Sequence, residues 1–500
     1  MKKHIMVSDN FSLKHILGLK VHDLRVKKDL SFQDLSESSG LSISYLSEIE
    51  KGKKYPKGDK ILALAKALDV TYDELVSLKV SKKLTPIINL LQSDFFKEFP
   101  LDTFGLEPQK IIELLSNSPE KVHAFINSII NIARNYEMRG EHFYYAALRS
   151  YQEMNDNYFS DIEAAVKKFI KQHDSLKQLP NTVAVLEDLL KKEFNIAIDR
   201  TKLSSYPELR DLRSFYQKKE KQLLLHNGLT SAQEAFLIGR ELGFHVLGLK
   251  ERPAETPPYK AHGFEGILNN YKASYFSAAL ILPEQEVITD INKMAVSDTW
   301  NESMMIGFID KYQATPEMIM QRLTNILPKH FGLKNLFFLR FVGTDNFSSY
   351  DLTKELHLSR SHNPHTNSLN ETYCRRWLSI RLIKQLRSLT KLDKSSSILA
   401  GAQISQYYGT EDEYLCLTLA FPNVSNLSES ISVTIGFYVD ANSKKRIKFI
   451  SDPAIKSRIV NTTCQRCGWT DCEDRIAPPT VIEKETAQKN VIDALLKLDE

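Results

Sequence analysis

The stretch SFQDLSESSGLSISYLSEIEKGK, residues 31–53, leaves few folds open to the chain that carries it. Ser31 can cap a short helix containing Phe32 and Leu35, because its hydroxyl accepts from the free N–H groups of a first turn. Gly40 supplies a tight turn, and Ser42 can cap a second short helix in which Leu46 and Ile49 face inward. Upstream, LGLKVHDLRVKKDL repeats at helical spacing through Leu17, Val21, Leu24 and Lys28. Downstream, Gly52 and Pro56 break the helix, Ile61, Leu64, Ala65 and Leu68 form a fourth amphipathic helix, and Thr71 caps a fifth. Residues 1–80 are therefore expected to be a five-helix bundle.

Short helix, glycine turn, short helix is the helix-turn-helix arrangement. Gln33, SYLSEIEKGK and the later LAKALDV and DEL strings make this region resemble the lambda-repressor-like (Xre/Cro-type) DNA-binding domain. The resemblance implies a recognition helix over residues 42–50. Ile43, Ser44 and Ser47 would then meet base edges, while Gln33, Tyr45, Lys51, Lys53 and Lys54 would hold phosphates. Ser and Ile carry little base preference, so no operator sequence can be read.

The net charge is only +4, so a nucleic-acid surface has to be local. Residues 1–80 hold 14 Lys and Arg against 11 Asp and Glu, which is most of that excess. At 500 residues the chain has room for about three domains, and 42% apolar with 26% charged residues is ordinary for a soluble protein. No apolar run approaches the ~20 residues of a membrane helix. His and Asp interrupt the N-terminal MKKHIMVSDNFSLKHIL, so no signal peptide is expected. Of five cysteines, three fall within nine positions, which points to reduced thiols and a cytoplasmic protein.

Residues 81–178 read as nearly continuous helix, punctuated early by Pro100 and Pro108, and suit a linker or dimerisation element. Residues 179–290 contain AFLIGRELGFHVLG. A zinc peptidase helix of the H-E-x-x-H type places two imidazoles on one face with Glu as base. Here those two positions hold Arg240 and Phe244; Glu241 remains, and His245 comes one residue late. With NNYKASYFSAALILP following, the segment resembles the ImmA/IrrE-type metallopeptidase domain. That resemblance puts the third, acidic ligand at about Asn270. Arg cannot ligate a cation, and without the metal Glu241 has no bound water to act on. The expectation is a zincin-like α+β domain without catalytic residues, in which Arg240 pairs with Glu241 or a neighbouring carboxylate. Ala235, Ile238, Leu242 and Val246 would form the helix's core face.

Residues 291–480 are expected to form an α/β sensory domain. NLFFLRFVGT, ISQYYGTEDEYLCLTLAF, SISVTIGFYVD and KRIKFISD suggest an antiparallel sheet with flanking helices, which resembles GAF-type domains. Cys464, Cys467 and Cys472 crowd one loop and would hold zinc or an iron–sulfur cluster given a fourth ligand. Cys374 is the candidate, with His357, His362 and His365 in reserve; a knot of reduced thiols without metal is the plain alternative. Cys416 lies in a strand pattern and should simply be buried. Residues 481–500 form a charged amphipathic tail helix.

ALRSYQEMNDNYFSDIE, YCRRW and CQRC with DCEDRIAPP, behind the two domains above, are similar to the short-chain fatty acyl transcriptional regulators. The resemblance implies a multidomain, mainly α chain with α+β parts that binds double-stranded DNA as a homodimer. Its small-molecule effector would be acyl-CoA or CoA. The rival reading is an enzyme, a metallopeptidase that cleaves a repressor or antitoxin; the missing His pair speaks against it. A thiol or iron–sulfur redox sensor is compatible with the first reading.

Overall fold

The computed structural model describes residues 13–77, 140–258, 263–344, 349–358, 371–393, 398–424, 426 and 428–498. Most of the segment read as a helical linker, with Pro100 and Pro108, lies outside the described residues, as do His362 and His365. The chain divides into two compact units, residues 1–151 with 260–267, and residues 152–259 with 268–500. Among the described residues no helix is long and apolar enough to cross a membrane.

The first unit holds the five expected helices: α1 (Leu13–Lys27), α2 (Phe32–Ser39), α3 (Ile43–Glu50), α4 (Gly58–Ala67) and α5 (Tyr72–Val76). Ser31 and Thr71 close reciprocal capping boxes with Asp34 and Glu74, and the Ser42 hydroxyl accepts from the Tyr45 N–H. Gly40 turns the chain at φ +67°, a conformation that only a residue without Cβ adopts freely. Leu17, Val21, Leu35, Leu46, Ile49 and Leu64 meet in one buried cluster. No helix this short is stable alone, so that shared core is what orders all five.

Helix α6 (Gly140–Met154) spans the division between the units. The second unit continues through α7 (Ser160–Gln172), α8 (Val183–Phe194) and a small sheet of β1 (Ala197–Asp199), β2 (Ser214–Gln217), β3 (Gln222–Leu225) and β4 (Glu255–Thr256). Strand order is β1-β3-β2-β4, with β1 and β3 parallel. Helix α9 (Ser231–Val246) packs on α8, and nine of its residues are buried, Ala235, Ile238 and Leu242 among them; Val246, expected in that core face, is only half-buried. Helices α10 (Phe264–Ile281), α11 (Glu284–Ala295), α12 (Glu302–Tyr312) and α13 (Pro316–Phe331) follow.

The larger sheet comprises β5 (Leu336–Thr344), β6 (Tyr350–His357), β7 (Leu399–Tyr407), β8 (Glu413–Pro422), β9 (Glu429–Tyr438) and β10 (Ser457–Val460), in the order β10-β7-β8-β9-β5-β6. Helix α14 (Leu378–Asp393) covers one face. Phe337, Leu339 and Phe341 join its core, while Arg340, on the alternate face, pairs with Glu317 of α13. Helix α15 (Ala441–Arg446) and the tail α16 (Thr480–Leu498) complete the described elements, and the tail is exposed along its length.

Four expectations need correction. Residues 152–178 belong to the second unit rather than to a linker: Glu163 of α7 is buried against Arg322 of α13, at 2.5 and 3.0 Å. The boundary placed between residues 290 and 291 falls inside the continuous helix α11. KRIKFISD is no strand: Lys445 and Arg446 end α15, which a capping box of Asp440 and Ser443 starts, and Lys448–Ser451 form a 3-10 turn. Strand β10 pairs parallel with β7, so the expected antiparallel sheet is mixed.

Candidate functional site

In the head, α3, the helix expected to read the DNA, is held from behind. Glu50, its last residue, is gripped by Arg25 of α1 through two hydrogen bonds of 2.7 and 3.0 Å and by His22 Nδ1 at 3.0 Å. Arg25 also donates to the Leu30 carbonyl at 2.9 Å and lies 4.2 Å from the Phe32 ring centre, so one guanidinium ties α1, the turn, α2 and α3 together. Burial pushes the Glu50 carboxyl up, but hydrogen bonds from His22 and Arg25 outweigh it and hold it below the ordinary value. Lys20 Nζ donates to the Glu74 carbonyl at 2.7 Å and to Ser77, capping the end of α5.

The opposite side is open. Gln33, Ser42, Ile43, Ser44, Lys51, Lys53 and Lys54 are exposed, and Tyr45 and Ser47 half-buried. Ile43, 44% exposed at the start of the helix, is the large apolar side chain a thymine methyl would meet. Two of the phosphate-holding candidates are already engaged. Gln33 Nε2 donates to Glu37 at 2.9 Å, and Lys54 pairs with Glu48 at 2.8 Å, 5.6 Å from the Tyr45 ring centre. Lys51 and Lys53 are exposed and have no ion-pair partner among the described residues.

In the second unit, the three positions expected to have lost zinc ligands, Arg240, Phe244 and Asn270, converge. Arg240 Nη1 donates to Asn270 Oδ1 at 3.1 Å, and the Arg240 guanidinium lies 5.7 Å from the Phe244 ring centre. The expected pairing is wrong, however. Glu241 does not meet Arg240; it takes two bonds from Arg252, at 2.8 and 2.7 Å, and one contact from His245 at 3.0 Å. Consecutive helix residues point in different directions, so Arg240 and Glu241 diverge into separate networks. Arg252 is sandwiched between the Phe244 and Tyr216 rings at 4.0 and 4.3 Å. Burial raises the Glu241 carboxyl, and the bonds from His245 and Arg252 more than reverse that, so it stays ionised and occupied. Burial lowers Arg240 to about 10.

In the C-terminal part, Cys374, Cys464, Cys467 and Cys472 line one cavity of about 20 Å³. Four thiolates are a full ligand set for zinc or an iron–sulfur cluster, and Arg375, Arg376 and Arg475 on the same walls would offset their charge. Among the described residues no three His, Cys, Asp or Glu side chains stand in ion-holding positions, so the four thiols do not form a metal site as they lie. The cavity admits about one water-sized atom as it stands. Burial, with Cys464 and Cys467 nearby, pushes the Cys374 thiol up to about 11, so without a cation it stays protonated.

The backbone around the cavity is firmly tied. Cys374 N donates to Thr462 O at 3.2 Å and Cys464 N to Thr372 O at 2.9 Å. Arg475 gathers four carbonyls of the loop, those of Cys464, Cys467, Trp469 and Ala477, at 2.7 to 3.1 Å. His357, the one reserve among the described residues, is not on the cavity wall, and Cys416 is buried in β8 as expected. Arg25, Glu50, Arg252 and Arg475 carried no local signal, since each finds its partners through the tertiary fold.

The helix-turn-helix family HTH_3 matches residues 21–75. The HTH-type transcriptional regulator y4dJ of Sinorhizobium fredii is 34% identical over 65 residues, which are 13% of this chain and 84% of that protein. Among solved structures, a Mycobacterium tuberculosis transcriptional regulator is 16% identical with a TM-score of 0.46, covering 67% of this chain and 94% of that one. The restriction-modification controller protein of Aeromonas hydrophila is 35% identical with a TM-score of 0.13, covering 13% of this chain and 98% of its own. The head thus defines a DNA-binding regulator. Through it, the chain belongs to the helix-turn-helix transcriptional regulators.

Proposed function

We propose that this regulator binds double-stranded operator DNA as a cytoplasmic homodimer and changes its affinity when a small metabolite, acyl-CoA or CoA, binds the second unit. The observation that carries the reading is the recognition helix, anchored from behind through Glu50 and presenting Ile43, Ser44 and Ser47 beside Lys51 and Lys53. The body reads as a silenced ImmA/IrrE-type domain followed by a sensory domain, in the manner of the short-chain fatty acyl regulators. What supports silencing is the chemistry of the old ligand positions, where Arg240, Phe244 and Asn270 stand and Glu241 is tied to Arg252. No catalytic residue is assigned. A ligand that prefers one arrangement by ~1.4 kcal/mol shifts operator affinity tenfold.

Fluorescence anisotropy with the protein's own promoter DNA tests this, with and without acyl-CoA. Tight binding that shifts about tenfold with acyl-CoA is expected; no binding in either condition refutes the reading. The cysteine cavity is proposed as a zinc or iron–sulfur site. Elemental analysis and a visible spectrum on anaerobically purified protein decide between them, and a metal content unchanged in Cys467→Ser removes the site. The peptidase rival would return if zinc bound stoichiometrically and Glu241→Gln abolished peptide hydrolysis.

A further inference from the structure

Arg240 is only 4% exposed, and its nearest carboxylate, on Glu241, is fully engaged by Arg252 and His245. All of Arg240's partners are neutral: Asn270 Oδ1 at 3.1 Å, Ser214 Oγ at 3.4 Å, and Thr256 Oγ1. Its Nε, fully buried, has no partner among the described residues. Among the described residues, two guanidiniums, Arg240 and Arg252, therefore face the Glu241 carboxylate, and the buried charge of Arg240 has no carboxylate hydrogen-bonded to it. Uncompensated buried charge is expensive, and it persists where something compensates it in use.

The surroundings specify the sign and size of that something. Ser214, Thr256 and Asn270 each accept from Arg240, which leaves their own O–H and N–H groups uncommitted among the described residues. Ser214 is buried, whereas Thr256 and Asn270 are half-buried, so the cluster is reached from their side. A shell of donors around a lone guanidinium suits an oxyanion, which accepts from every one of them and supplies the missing negative charge.

We infer that Arg240, Ser214, Thr256 and Asn270 form a binding site for a small oxyanion, a carboxylate or phosphate group. The site rests on this geometry alone and does not depend on what the head binds. The guanidinium carries the charge recognition, and Thr256 and Asn270 orient the oxygen atoms at the entrance. It is a natural place for the acidic end of an effector to act on the second unit.

Calorimetric titration of the full chain, without DNA, tests the assignment with sodium phosphate, sodium acetate and, at matched ionic strength, sodium chloride. One saturable site per chain is expected for phosphate or acetate, and none for chloride; which of the two binds separates a tetrahedral from a planar ligand. Arg240→Met should abolish that binding, and Thr256→Val should weaken it roughly tenfold, the worth of one charge-assisted hydrogen bond. In anion-free buffer Arg240→Met should melt no lower than the parent, because the unbalanced charge is gone. Absence of saturable binding by both oxyanions overturns the proposal, as does binding that survives in both variants. Should Arg240→Met not fold, Thr256→Val and Asn270→Leu carry the same test, and unchanged binding in both refutes it. Loss of promoter binding with oxyanion binding intact would refute only the DNA reading.

Discussion

Glu50 shows how one side chain can decide whether the DNA-facing helix is in place. With a side chain only 6% exposed, it is bound by Arg25 at 2.7 Å. Removing one partner of a buried ion pair leaves the other uncompensated, so Glu50→Ala should cost the head about 3 kcal/mol in urea denaturation. The double change Arg25→Met with Glu50→Leu should cost clearly less. The pH dependence has a defined sign. A carboxyl whose folded pKa lies below its unfolded value contributes stability fully above ~4.3, and that contribution is lost as pH falls through the lower folded value. Acid titration of the head should therefore show a loss below about pH 4 in the parent that the double variant lacks. None of this was legible locally, because residues 25 and 50 share no periodicity. Arg240 makes the same point: its neighbour in sequence is Glu241, but its neighbours in space are Ser214, Thr256 and Asn270.

Among elements, close approach is set by missing side chains. A Cβ on Gly18 of α1 would stand 2.4 Å from the Ile49 carbonyl oxygen and 2.8 Å from that of Glu50. Both are backbone atoms at the end of the recognition helix, so Gly18→Ala has to push α1 away from α3. A loss of about 1–3 kcal/mol is expected, together with weaker operator binding. Thermal melting and DNA titration check it, and an unchanged melting curve would contradict the packing. On α9, Gly239 and Gly243 meet α10 in the same way, with Cβ positions 2.6 Å from Ser277 Oγ and 3.0 Å from the Ala273 carbonyl oxygen. Gly243→Val should destabilise the second unit while leaving the melting of the first unchanged. The five head helices were readable because caps and periodicity agree there. KRIKFISD was misread because a short alternating run fits strand and helix alike, and the capping box before it decides.

For the whole chain, DNA affinity should be governed by few phosphates, given a net charge of +4. Each lysine that neutralises one phosphate adds about 0.9 to the slope of log affinity against log salt. Lys53→Ala should reduce that slope by about 0.9 without changing which sequences bind. Lys54→Ala should have less effect, since Lys54 is already paired with Glu48. Ile43→Ala should weaken binding at constant slope, since an apolar contact neutralises no phosphate. A Lys53 variant with an unchanged slope would move the phosphate contacts elsewhere on the head.

What the sequence determined by itself is the head, the absence of a His pair around Glu241 and the grouping of the cysteines. Each is written in residues within a few turns of one another, where caps, turns and the presence or absence of a side chain act at short range. The Glu50 clamp, the meeting of Cys374 with a loop ninety residues on, the place of α7 in the second unit and the unbalanced charge of Arg240 were decided only by the tertiary structure. The physical reason is that hydrogen bonds and ion pairs are satisfied by proximity in space, and burial fixes which distant groups are near enough to compete.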